Sequence, residues 1–217
     1  MRSCTLVLAS AFALPLCASA SADVVHADIW VTSSAGQLVT GGWDHETGTV
    51  INPDQRVFEG ELGLDPSFPF SGDEPGIGSD LIGSTIRLRV LNSLGAWNGS
   101  GFDFSTSTLT VGYGGQTADT ASGGFVSFNV TTGLDLHPEF SLSGAGATDP
   151  ANGIYLATFR FASNGFTESE AFWVVLNLGM SEQDHEAAVA WVEMNLVPVP
   201  GAIALLGMAG LMRRRRH

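Results

Sequence analysis

The sequence predicts an all-β fold, a β-sandwich or jelly-roll-like domain with one C-terminal α-helix, flanked by a signal peptide and a short hydrophobic tail. Composition is the first reason, because 27 glycines and only 14% charged residues are typical of turn-rich β proteins and not of helical bundles. The second reason is that apolar and polar residues alternate with period 2 in many short segments. Strands at this spacing are typical of two-sheet sandwiches.

Period-2 alternation also places the individual strands. In the clearest segment, Ile86, Leu88 and Val90 alternate with polar or charged neighbours, as in a strand with one buried face. The best-defined predicted strands cover residues 86–90, 109–113, 126–130, 154–161 and 172–178. The last two are almost continuously apolar, which predicts central strands covered on both faces.

The remaining segments predict a hairpin and a loop. Residues 24–32 and 37–42 are expected to pair around the turn at residues 33–36. Glycine and proline are densest in residues 65–83, which we therefore predict to be a long loop.

One segment has the pattern of a helix. Ser181 is a good N-cap, and acidic residues fill the turn that follows it, where they favour the helix dipole. Ala188, Trp191 and Val192 then form an apolar stripe at helical spacing. We therefore predict a helix at about residues 182–195.

The N-terminus has the order of a secretory signal peptide over residues 1–22. A short cationic start at Arg2 is followed by an apolar run at residues 6–16 and then by small residues. Cleavage after Ala20 and cleavage after Ala22 fit the sequence equally well. We therefore expect an exported protein.

Both cysteines of the chain, Cys4 and Cys17, lie in this segment. Leu16 occupies the position before Cys17 where a lipoprotein signal has a small residue, which argues against a lipid anchor. The ectodomain, residues 23–197, is therefore free of thiols and disulfides, although export leads to a compartment that permits them. Its stability must come from a hydrophobic core or from bound ions.

The C-terminus, residues 197–217, combines three features in a fixed order. The first is a proline motif with Val197, Pro198, Pro200 and Gly201. A hydrophobic segment at residues 202–212 follows, and the third feature is an arginine cluster of Arg213, Arg214, Arg215 and Arg216. The arginines favour retention on the cytoplasmic side. Eleven residues at about 1.5 Å each span roughly 16 Å, about half of a hydrocarbon core, so the segment suits a transient anchor.

This tail resembles a PEP-CTERM sorting signal, also called the ice-binding-protein C-terminal-domain type. The resemblance implies recognition and cutting by an exosortase-type sorting protease, transient membrane anchoring, and delivery to the cell envelope, cell surface or extracellular matrix. Val199 departs from the family pattern, which has glutamate between the two prolines. An ordinary single-pass anchor is the alternative.

The charges of the ectodomain exclude several functional classes. The chain has no lysine, and outside Arg2 and the terminal cluster only four arginines accompany 22 acidic residues. Such a protein lacks the basic stripe that a nucleic-acid binder needs. The absence of lysine excludes a P-loop, Schiff-base chemistry and a Ser/Lys dyad. Cations are the expected partners of this surface.

Each histidine of the ectodomain has a carboxylate within two residues: His26, His45, His137 and His185. His26 shares a face with Asp28 in an extended segment, as His137 does with Glu139. Two such pairs on facing strands would supply the nitrogen and oxygen ligands that zinc takes. Because acidic residues are so frequent here, chance proximity is the alternative.

Short motifs spread over residues 24–196 resemble a bacterial surface-anchored domain associated with zinc limitation. They include the segment from His26 to Ile29, His137-Pro138-Glu139, and Phe172–Val175 with the His-Glu helix. The family often has a second histidine where this chain has Glu139, which can still bind zinc. The resemblance implies these ligands in decreasing order: His26, His137, Glu139 and His185, with Asp28 and His45 weaker.

The sequence lacks the usual signatures of an enzyme. Val189 stands where the second histidine of an H-E-x-x-H motif starting at His185 must lie, and no G-x-S-x-G motif occurs. We therefore expect a non-catalytic envelope or matrix protein with a zinc-type site and no nucleic-acid partner. The main alternative is a structural or carbohydrate-binding protein of an exopolysaccharide matrix, with Trp30, Trp43 and Trp97 as sugar platforms. A secreted hydrolase with a carboxylate pair is the minor alternative.

Overall fold

The structure, a computed structural model, describes residues 27–198. The predicted signal peptide at residues 1–22 and the predicted ligand His26 lie outside the described residues. Residues 199–217, which hold most of the predicted sorting tail, lie outside them as well. The described residues contain no helix with the length and hydrophobicity of a membrane span.

The described residues form short strands followed by one helix. In chain order these elements are β1 (Asp28–Ser34), β2 (Gln37–Asp44), β3 (Thr49–Asn52), β4 (Val57–Glu61), β5 (Ser71–Gly72), β6 (Ile77–Ser79), β7 (Thr85–Trp97), β8 (Phe102–Phe104), β9 (Thr108–Tyr113), β10 (Gln116–Asp119), β11 (Gly124–Asn129), β12 (Asp135–Leu136), β13 (Glu139–Ser143), β14 (Gly153–Ser163), β15 (Phe172–Leu178) and α1 (Glu182–Asn195).

Hydrogen bonding arranges these strands in three sheets. Sheet A has the order β12-β6-β1-β2-β3, and sheet C has the order β10-β9-β13-β5. Sheet B has the order β11-β7-β14-β15-β4, with β8 added beside β7. Most neighbours are antiparallel, but β6 runs parallel to β1 and β4 runs parallel to β15.

The main hydrophobic core combines side chains from all three sheets. In β15, Phe172, Val174 and Leu176 belong to this core, whereas Trp173 and Val175 belong to a second cluster that packs against α1. Every residue of β15 is buried. Sheet B is therefore covered on both faces at this strand, which confirms the all-β, sandwich-like fold with its apolar central strands.

The C-terminal helix covers the outer face of sheet B. The Oγ atom of Ser181 accepts a hydrogen bond from the backbone N–H of Asp184 at 3.2 Å, which caps the first turn as the sequence predicts. Ala188, Val189 and Val192 are buried against the sheet. The predicted helix and its N-cap are thus confirmed.

The strand predictions are confirmed for β7, β9, β11, β14 and β15. The first hairpin also forms as expected, but its turn is shorter than the predicted residues 33–36, because Ser34 already pairs with Gln37. The prediction of a long loop at residues 65–83 is wrong in part, because this segment contains β5 and β6. Both strands are very short and rich in glycine, so no alternation is visible in the sequence. At Gly78 in β6, an added Cβ would lie 2.7 Å from the ring of Trp43, so the sheet needs glycine here.

Candidate metal centre

Asp28 is the centre of a cluster of ionisable groups at one end of sheet A. It begins β1, which lies between β2 and β6, so the residues just after β2 and just before β6 contribute groups around its carboxylate. The residue is only 2% exposed. Its Oδ1 atom accepts a hydrogen bond from the backbone N–H of Gly76 at 2.7 Å, and its Oδ2 atom lies 2.9 Å from Nδ1 of His45.

His137 approaches Asp28 from the connection between β12 and β13. Its Nδ1 atom lies 3.1 Å from the carbonyl oxygen of Asp73, which can only accept, so Nδ1 carries the hydrogen. Its Nε2 atom lies 3.1 Å from Oδ1 of Asp135. Asp28, Asp135 and His137 each offer one ligand atom, and these atoms lie within 4.8 Å of one another. A histidine that donates to a carbonyl and turns its other nitrogen toward carboxylates has the arrangement of a metal ligand.

Glu74 completes the negative side of the cluster. Its Oε2 atom accepts from the same Gly76 N–H that Asp28 uses, at 3.0 Å, and its Oε1 atom lies 3.5 Å from Nδ1 of His137. Burial raises the pKa of Glu74 to about 7, and the neighbouring Asp28 carboxylate adds to this rise. Burial alone lowers the pKa of His137, but the charge of Glu74 and the other acceptors around the ring outweigh it, so that pKa rises.

Gly76 is the residue that lets these groups meet. A Cβ atom at this position would lie 2.8 Å from Cε1 of His137 and 3.0 Å from Cγ of Asp28. Because a side chain would separate the imidazole from the carboxylate, only glycine allows the backbone N–H to bind Asp28 while His137 packs over it.

Aromatic rings form a wall beside the cluster. The ring of Trp43 lies 5.5 Å from that of Trp30 and 6.3 Å from that of His45, between centroids. The two imidazoles of the cluster, His45 and His137, are also 6.3 Å apart in an edge-to-face arrangement. Trp43 is only 8% exposed, so it packs as part of this wall.

Trp97 lies elsewhere and packs against Phe102 and Trp191 beside the helix. Carbohydrate binding by Trp30, Trp43 and Trp97 stays a prediction.

The predicted ligands are distributed over two places. Asp28, His45 and His137 come together, whereas His185 belongs to a second group of possible ligands on α1. Glu139 lies outside the ligand groups of the described residues, and its Oε1 atom accepts a hydrogen bond from Ser141 instead. His137 lies between β12 and β13, and Glu139 begins β13, so the two residues do not belong to one strand.

Two members of the cluster were not assigned to the zinc-type site from the sequence. Asp135 is visible in the sequence as a neighbour of His137, but acidic residues are too frequent for that to distinguish it. Glu74 lies in the segment predicted to be a loop, and only the parallel pairing of β6 with β1 brings it to the site.

A cleft with a volume of about 440 Å³ adjoins the cluster. Its walls are apolar at Leu64 and Phe68 and otherwise mainly acidic, with carboxylates from Glu61, Asp65, Asp73, Glu74 and Glu139. Acidic residues therefore contribute much of the lining of this concave surface. No model of a known protein family matches this chain, and no curated protein matches its sequence.

Proposed function

We propose that this chain is an exported, non-catalytic protein of the cell envelope or extracellular matrix that binds a divalent cation, zinc first, through Asp28, Asp135 and His137. The observation that carries the proposal is the convergence of these three ligand atoms to within 4.8 Å around a buried carboxylate. His45, 2.9 Å from Asp28, is the second imidazole of the site. Imidazole and carboxylate ligands together suit zinc.

Electrostatics supports a cation at this place. The carboxylates of Asp28, Glu74 and Asp135 have two imidazoles as their ion-pair partners in the described part of the chain. Arg89 pairs with Glu168 instead. Carboxylates this close repel one another when ionised, which is one cause of the raised pKa of Glu74. A divalent cation between them relieves that repulsion.

Export and sorting are supported by the two ends of the sequence. The signal-peptide pattern at residues 1–22 and the PEP-CTERM-like tail at residues 197–217 imply passage through the membrane and handling by an exosortase-type protease. Outside the cell, the acidic surface meets free cations and matrix polysaccharide, and these are the proposed partners.

Zinc titration of the full-length chain, stripped of metal with a chelator, tests the proposed site. We expect His137→Ala and Asp135→Asn to weaken zinc binding by about 100-fold or more, because even outer-shell losses cost about 10–100-fold. Both side chains are partly exposed, so the variants are expected to fold. Glu139→Gln is the matched control, since it removes a nearby carboxylate outside the ligand group. Wild-type zinc affinity in His137→Ala would rule the site out.

A second candidate function, glycoside hydrolysis, is favoured by one observation. Glu74 lines the acidic cleft and has a pKa raised to about 7, as a general acid requires. Glu74→Gln separates the two functions. It abolishes hydrolysis of polysaccharide if Glu74 is the acid, whereas the three proposed zinc ligands remain in place.

A further inference from the structure

A second group of ligand atoms lies on the face of sheet B that α1 covers. Glu59 from β4 and Glu182 and His185 from α1 each offer one atom, and these atoms lie within 4.8 Å of one another. Val57 of β4 packs in the cluster beneath the helix, and strand alternation puts Glu59 and Glu61 on that same side. This group shares no residue with the cluster around Asp28.

His185 is the decisive member of this group because it is fully buried, at 0% exposure. Its Nε2 atom lies 3.1 Å from the carbonyl oxygen of Val175, which can only accept, so Nε2 carries the hydrogen. In the neutral ring, Nδ1 then carries the lone pair, and Oε1 of Glu61, which is also an acceptor, lies 3.2 Å from it. This contact has ion-pair distance but not the direction of a hydrogen bond, which leaves Nδ1 without a hydrogen-bond partner.

The acidic residues alone do not explain this arrangement. Carboxylates such as Glu182 are common in the first turn of a helix, because the helix dipole stabilises them there. A buried imidazole whose unprotonated nitrogen lies close to several carboxylates needs a positive charge between them, either a proton or a metal ion. Burial lowers the pKa of His185, but the contacts with Glu61 and Val175 and the charge of Glu59 outweigh it and raise that pKa.

We infer that Glu59, Glu182 and His185 form a second divalent-cation site, with zinc as the expected ion and Glu61 beside it. Nδ1 of His185 is the nitrogen ligand, and the carbonyl of Val175 holds the ring in the required tautomer. Asn177 fixes Glu61 by donating from Nδ2 to Oε1 at 3.1 Å. The ion joins the start of α1 to β4, so it links the helix that precedes the sorting tail to the sheet.

Zinc stoichiometry of the full-length chain tests this second site. We expect two zinc ions per wild-type chain after chelator treatment and reloading, and one in Glu182→Gln, with the lost ion bound at least about tenfold more weakly. Glu182 is exposed, so this variant keeps the fold where a substitution of buried His185 risks losing it. Glu186→Gln is the matched control, because it removes an equal charge from the same helix outside the ligand group. It is expected to bind two ions.

The outcomes separate this site from the one around Asp28. If Glu182→Gln and Glu186→Gln both bind zinc as the wild type does, the second site is overturned. If the wild type binds a single ion that His137→Ala removes, the second site is also overturned and the proposed function stands. If the single ion is removed by Glu182→Gln and not by His137→Ala, the second site stands and the first is overturned.

Discussion

Replacement of Gly76 by alanine is the sharpest structural perturbation of the site around Asp28. The added Cβ would lie 2.8 Å from Cε1 of His137 and 3.0 Å from Cγ of Asp28, whereas carbon atoms in ordinary contact are about 3.5–4.0 Å apart. The imidazole and the carboxylate must therefore move away by roughly 0.5–1 Å. Metal–ligand distances vary by only about 0.2 Å, so His137 and Asp28 cannot both stay at binding distance from the same ion.

We expect Gly76→Ala to weaken zinc binding by about 10–100-fold, the loss typical when a metal ligand loses its support. Overpacking also lowers the free energy of unfolding by about 1–3 kcal/mol. Isothermal titration with zinc measures the first effect and urea unfolding the second. Gly112→Ala is the matched control, because its Cβ would meet no atom closer than 3.9 Å. If Gly76→Ala binds zinc as tightly as Gly112→Ala, the close approach of His137 and Asp28 does not form the site.

Three further outcomes follow from the same contacts. Ser181→Ala removes the N-cap of α1 and is expected to lower the free energy of unfolding by about 1 kcal/mol in urea titrations, whereas an unchanged midpoint would contradict the capping bond. Val192→Ala removes two buried methyl groups between α1 and sheet B, and it is expected to lower the free energy of unfolding by about 2 kcal/mol in the same assay. A decrease below about 0.5 kcal/mol would mean that the helix does not pack there. Zinc binding is expected to weaken as the pH falls from about 8 to 6, because the raised pKa of His137 lets a proton compete with zinc for its imidazole. Calorimetry that shows tighter zinc binding at the lower pH would contradict this expectation.

The sequence predicted structure well wherever one buried face made apolar residues recur at the spacing of a strand or a helix. Ile86, Leu88 and Val90 alternate with polar residues because one face of this part of β7 is buried, and α1 shows an apolar stripe for the same reason. The N-cap of α1 was recognisable for another reason, since Ser181 satisfies a free backbone N–H of the first turn. Strands such as β6 were not predicted, because a strand of three residues with a central glycine, Gly78, is too short to show an alternation of apolar and polar residues. The fold class depends on the long, regular elements, so it could be predicted without the short ones.

The candidate site was only partly visible for a different reason. Asp28, His45 and His137 were recognised as chemically suitable. The predicted hairpin of β1 and β2 brings His45 to Asp28, but His137 reaches them only because β6 pairs with both β1 and β12, and no local sequence pattern indicates such long-range pairing. For the same reason, His137 and His185 were expected in one site although they lie in two groups. Residue chemistry therefore suggested candidate ligands, and topology decided which of them lie close together.

The zinc content of the full-length chain, compared between the wild type and His137→Ala after chelator treatment and reloading, tests the site around Asp28 most directly. We expect the wild type to hold one zinc ion more per chain than the variant, with Glu139→Gln equal to the wild type. Equal zinc content in the wild type and His137→Ala would contradict the assignment of Asp28, Asp135 and His137 as a metal centre.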